Sequence, residues 1–140
     1  MAISNISGSA IVNEILDALH PGTTTKTVGT KTITAPIVVR LMTANGSDTA
    51  AGTELSTSGS YVAVTGISVG TNWAAASAKS KATNGALSQT GMPAATIVGI
   101  ELWDSSGTAQ RIDWGSMTSK TTQSGDTLSF ASGAISVAIT

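Results

Sequence analysis

Hydrophobic positions follow two different rhythms along this chain. Between Ser7 and Leu19, the residues Ile11, Val12, Ile15, Leu16 and Leu19 recur at three- and four-residue intervals, the spacing that lines one stripe of a helix. Ser7 and Ser9 stand where an N-cap is needed, and Pro21-Gly22 supplies the stop. The result is an amphipathic helix of about three turns, with Glu14 and Asp17 on its polar side. A helix this short depends on a sheet or a neighbouring subunit to cover its apolar stripe. The next stretch, TTTKTVGTKTITA over 23–35, has no helical period; its threonines predict an extended arm or an edge strand.

After Pro36 the period shortens to two. IVVRLMT (37–43) sets Ile37, Val39 and Leu41 against Val38, Arg40 and Met42, and runs into the turn dipeptide Asn45-Gly46. Further strands are expected in SYVAVTGISV (60–69), GALSQT (85–90), IVGIELW, TAQRIDW, the run at 116–122, TLSFA (127–131) and AISVAIT (134–140). The last two are expected to pair as a hairpin, with Leu128 and Phe130 facing Ile135, Val137 and Ile139. TNWAAASAKSKATNG (71–85) reads as loop or irregular strand, because its apolar residues are nearly all Ala and Asn84-Gly85 breaks it. Short strands punctuated by Gly, Asn, Asp and Ser predict a mainly β fold, an antiparallel β-sandwich of about seven or eight short strands with a short N-terminal α-helix. The chain divides into the helix (1–22), the Thr-rich arm (23–35) and the sandwich (36–140), all within a single domain.

ELWDSSGTAQRIDWG (101–115) holds two of the three tryptophans and reads as a hairpin. A three-residue loop at Ser105-Ser106-Gly107 would put Gly107 in the left-handed position. Glu101 then opposes Arg111, Ile100 opposes Ile112 and Val98 opposes Trp114, which places Trp114 on the apolar face and Trp103 on the other. A cross-strand Glu101–Arg111 pair contributes about 0.2–1 kcal/mol, so it selects register more than it holds the sheet. Asp104 sits at the turn, where its side chain accepts from backbone N–H groups.

Composition narrows the function. Charged residues are 11% of the chain, against about 25% in an average domain, so the surface is polar mainly through hydroxyls and backbone. With a net charge of −1, and with Lys26, Lys31, Lys79 and Lys81 scattered, no basic stripe exists to draw nucleic acid. The absence of cysteine removes disulfides and thiolate metal sites. MAISNISGSAIVNEIL lacks a basic flank and a long apolar run, and no stretch nears the roughly 20 apolar residues of a bilayer span. Neither a membrane nor a signal-peptide route is expected.

No residue set for catalysis stands out. The one histidine, His20, precedes Pro21 at the foot of the helix, where the plain reading is an imidazole facing the helix dipole. Asp104 and Asp113 are the best carboxylate pair, but the expected register separates them along the hairpin. The acids show no metal-ligand spacing, and phosphate-cradling glycine motifs are missing, so no metal or cofactor is expected. Trp73 and Trp103 are the candidates for a sugar-stacking platform; the competing reading is packing, since such side chains bury about 150–250 Å² each.

Several stretches together resemble a family of small tailed-phage virion structural proteins, some labelled tail fibre proteins and some recognised as capsid decoration proteins. They are AIVNEILDAL, PIVVRLMTANGSDTAAGTEL, YVAVTG and MPAATIVGIELWDSSGTAQRIDWGSMTSKTTQSGDTLSFASGAISVAIT. The Thr-rich arm is longer than that family's usual link. The resemblance implies a non-enzymatic β-sandwich virion component with no catalytic residues to carry over. The leading expectation is a capsid decoration or head-fibre subunit on the outer capsid surface, bound to the major capsid protein and to further copies of itself, with a trimer as the analogous oligomer. Its expected contacts are Ile11, Ile15 and Leu19 of the helix and Lys26 and Lys31 of the arm. The alternatives are a tail fibre or tail-tip subunit, and a host-glycan module using Trp73 or Trp103.

Overall fold

The computed structural model describes residues 9–139. The helix α1 spans Ser9–Leu19 and stands on Val12 and Leu16, both fully buried. Ser7, the other expected cap, lies outside the described residues. The expected arm is in fact a small hairpin, β1 (Lys26–Val28) with β2 (Lys31–Ile33). Gly29, at φ 61, opens a two-residue turn of the kind whose first central position needs a positive φ. Ile33 ties this hairpin to the core.

The remaining strands are β3 (Val38–Ala44), β4 (Thr53–Glu54), β5 (Ile67–Ser68), β6 (Ser80–Ala82), β7 (Leu87–Gln89), β8 (Ala95–Trp103), β9 (Arg111–Thr122), β10 (Leu128–Phe130) and β11 (Ser136–Ala138). One antiparallel sheet carries the order β4-β3-β8-β9, with β5 also paired to β3. Two separate ladders, β7 with β10 and β6 with β11, pack against the same core. Val39 and Leu41 of β3 and Ile97 and Leu102 of β8 meet Leu87, Leu128, Phe130 and Ile135 from the ladders. The molecule is therefore mainly β, a sandwich whose second layer is two short ladders.

Two strand extents and two pairings depart from the sequence expectation. Residues 60–69 hold only the two-residue β5, because the chain bends around Val64 at φ 71 and buries Tyr61. The segments expected as TAQRIDW and 116–122 merge into the 12-residue β9. β10 and β11 share the core but pair with β7 and β6 and not with each other. In the β8–β9 hairpin, Glu101 opposes Trp114, and Leu102 opposes Asp113. That is a slip of three residues from the expected register. An odd slip moves a side chain to the other face, so Trp114 shares a face with Glu101, away from the core. Gly107 does not take positive φ, since the loop runs from Asp104 to Gln110. Asp104 organises it: Oδ1 accepts from Gln110 N–H at 2.6 Å and from Ser106 Oγ at 3.0 Å, and Oδ2 accepts from Thr34 N–H at 3.2 Å.

Candidate functional site

β3 is buried on both faces from Val38 to Met42. Val39 and Leu41 enter the core, so Arg40 lies on the opposite face, beside Glu101. Glu101 is 1% exposed and would be untenable there without partners. Its Oε1 accepts from Gly52 N–H at 2.7 Å and Arg111 Nη1 at 3.0 Å, and its Oε2 accepts from Trp103 Nε1 at 2.9 Å. Arg111 reaches on to the carbonyls of Ala50 at 2.6 Å and Ser47 at 2.5 Å. Trp114 Nε1 donates to Asp48 at 3.0 Å. Together these bonds clamp the 45–52 loop over the sheet. The Glu101–Arg111 ion pair expected from sequence is present, but it forms diagonally, by the length of the arginine.

A second branch joins Glu54 to Tyr61. The phenol donates to Glu54 Oε1 at 2.7 Å and accepts the Leu41 N–H at 3.1 Å. Burial, reinforced by the Glu54 carboxylate and only partly offset by the Leu41 N–H, pushes the Tyr61 phenol well above its ordinary range. A phenol raised in the folded state contributes stability fully present below its unfolded value of about 10 and lost as the pH rises beyond it. Tyr61 is the single tyrosine. Alkaline titration should therefore show phenolate absorbance appearing together with unfolding; a simple ionisation near pH 10 in a folded protein would contradict this.

The other site is the attachment of α1. His20 is fully buried, with Nδ1 3.1 Å from the Leu16 carbonyl and Nε2 2.5 Å from Asp113 Oδ2 on β9. Its ring lies 5.3 Å from that of Trp73. Asp17 accepts from Lys81 Nζ at 2.5 Å and Ala76 N–H at 3.0 Å, and Asn13 accepts the Lys79 N–H at 3.0 Å. Asn13, Asp17 and His20 therefore form an inward polar stripe at helical spacing. Burial alone would raise the Asp17 carboxyl, but the bonds from Lys81 and Ala76 and the charges of Lys81 and His20 outweigh it and hold the pKa below its usual value. This contribution is complete above about pH 4 and is lost as the pH falls through the lowered value. The protection of α1 amides, relative to their intrinsic exchange at each pH, should be lower below pH 4 than at pH 6; equal protection at both would refute the link.

These contacts sort the sequence-derived candidates. Ile11 is 58% exposed, Ile15 and Leu19 are half-buried, and the three lie on one stripe beside the buried Val12–Leu16 stripe. Lys26 and Lys31 are exposed on the hairpin. Trp73 is 8% exposed inside the core, so it offers no platform. Trp103 has Arg40 stacked on its ring at 4.2 Å, which occupies the face a sugar would need. Trp114, placed on the core side from sequence, is the exposed one, at 41%. For His20, the helix-foot reading missed Asp113; with both ring nitrogens committed, neither is free to activate a nucleophile. Among the described residues, no group of three or more His, Cys, Asp or Glu is placed to hold a metal ion, and no helix is long and apolar enough to cross a membrane.

A family model described as podophage GP4 fiber I protein gp80 matches residues 4–138. The chain belongs to this family. It is thus a phage structural protein of the fibre type and a virion component. The gp80 match runs through the helix, the hairpin and the sandwich alike, including the Thr-rich stretch. No curated protein and no solved structure gives a significant match.

Proposed function

We propose that the chain is a non-catalytic building block of a phage fibre, joined to its neighbours, copies of itself among them, through the exposed side of α1. The observation that carries this reading is the split of the helix. Its inward side is fixed by Val12, Leu16, Asn13, Asp17 and His20, while the exposed Ile11 and the half-buried Ile15 and Leu19 form an apolar stripe that the described residues cover only in part. A helix anchored that firmly offers a rigid face, and rigid faces lose little entropy on docking. Repetition of the subunit lets modest contacts suffice. The gp80 family description supports a fibre over the shell ornament bound to the major capsid protein.

Ile11→Glu tests this. Because Ile11 is 58% exposed, the change should leave stability within about 0.5 kcal/mol. Particles grown with this variant should carry at least several-fold less of the protein. Val62→Glu, at a site 50% exposed between β4 and β5, should incorporate normally. Wild-type incorporation of Ile11→Glu would remove α1 as the docking face.

A further inference from the structure

A groove of about 330 Å³ opens on the face of the sheet that bears Arg40, between the 64–68 bend and the 104–109 loop. Its walls are largely apolar, from Pro36, Val38, Val64 and Ala109, and Arg40 and Ser68 also line it. Two anomalies meet there. The first is Arg40, only 7% exposed. Its nearest carboxylate, Glu54, stands 3.7 Å away, beyond hydrogen-bonding distance, and its Nε has no partner. Glu54 Oε1 is taken by Tyr61 and the Val64 N–H, so only Oε2 faces Arg40, as a loose ion pair with Nη1 that leaves Nε unserved. A buried N–H without a hydrogen bond is costly, and stacking of the guanidinium on Trp103 at 4.2 Å does not replace it.

The second anomaly is Val64, a β-branched residue at φ 71 and 62% exposed. A branched side chain in that region is strained, and strain of this kind collects at ligand clamps. The Val64 N–H bond to Glu54, 2.9 Å, holds the strained residue at the rim. Next to it, Gly66 at φ 56 lies so close to Val39 that a Cβ would sit 2.5 Å from the Val39 carbonyl and 3.4 Å from Arg40 Cγ. Only glycine lets the bend press onto the arginine stem. Asp104 also lines the groove, but its oxygens are bonded to Thr34, Ser106 and Gln110.

From the loosely paired Arg40 with its unpartnered Nε, the apolar walls and the strained rim, we propose that this groove binds a carboxylate on a short alkyl stem, the acidic side chain of a neighbouring protein. The planar fork of Arg40 receives the carboxylate, and Val38, Val64 and Pro36 enclose the methylenes. Polyhydroxylated acids fit less well, because the exposed lining is mainly apolar and, of its hydroxyls, those of Ser105 and Ser106 are already bonded to Thr34 and Asp104.

Propionate is the direct probe, followed by the Arg40 side-chain and Val64 methyl resonances during titration. Saturable shifts at both, with propionamide at least tenfold weaker, are the expected result. Glucuronate should bind no tighter than propionate; tenfold tighter binding would replace the acidic side chain with an acidic sugar and overturn the assignment. Absence of saturable shifts would overturn the site itself. Ser68→Glu provides a variant that folds, because Ser68 is exposed and its strand pairs Val38 with Ser68, one step from Arg40 on the same face. Its carboxylate should occupy the groove, abolish the propionate shifts and raise Tm by a few degrees. Wild-type propionate affinity in Ser68→Glu would also count against the proposal.

Discussion

Glu101→Ala should lower the unfolding free energy by about 3–5 kcal/mol, the cost of removing one partner from a buried, hydrogen-bonded charge pair. The carboxylate takes three donors at once, from Gly52, Arg111 and Trp103. Its loss leaves Trp103 Nε1 without its acceptor and Arg111 held only by the Ala50 and Ser47 carbonyls. The 45–52 loop should then lift from the sheet. In a domain of this size the corresponding fall in Tm is roughly 10–20 °C. Glu101→Gln keeps the shape and one acceptor, so it should cost less than half as much by chemical denaturation. A loss below about 1 kcal/mol in Glu101→Ala would mean that the network sets register without holding the loop.

His20→Ala should act locally first. The substitution deletes a fully buried ring that touches Asp113 and Trp73, a change worth about 2–4 kcal/mol from the cavity and the lost bond together. The remaining ties of α1, through Asp17 and Asn13, run to Ala76, Lys81 and Lys79 and leave β9 unconnected to the helix. Native-state hydrogen exchange should show α1 amides losing most of their protection while the β3 and β8 amides keep theirs. Loss of protection in all three elements by the same amount would show that α1 and the sandwich open as one unit.

Alternation carried the broad architecture and failed at particular joints. The period-two runs in 37–43 and 97–103 mark β3 and β8, and alternation carries Val39, Leu41 and Leu102 into the core, but Ile97, on the parity of Glu101, reaches the core as well, beyond the irregularity between Ile97 and Gly99. Alternation assigns a face but not a partner. Leu128, Phe130 and Ile135 do face one core, yet their strands pair with β7 and β6. The 101–115 hairpin slipped for a different reason. Ser-Ser-Gly suits a tight turn, but the Asp104 carboxylate gathers Gln110 and Ser106 into a longer loop, and one side chain capturing distant backbone leaves little local signature.

The helix shows the same limit. Its stripe of Ile11, Val12, Ile15, Leu16 and Leu19 was visible, but not which part would be covered. Asn13, Asp17 and His20 turn inward because Lys79, Ala76, Lys81 and Asp113 await them from segments 59 to 93 residues away. The Arg40 groove was equally hidden: the strand pattern put Arg40 on the side opposite Ile37, Val39 and Leu41 but could not show that its Nε would lack an acceptor.

The assignment to a fibre is tested most directly by separating fibres, shells and tails from purified phage and quantifying this chain in each by mass spectrometry. Enrichment in the fibre fraction, at a constant ratio to the other fibre proteins, is the predicted result. Recovery with the shells at a copy number tracking the major capsid protein, or absence from the particle, would contradict it.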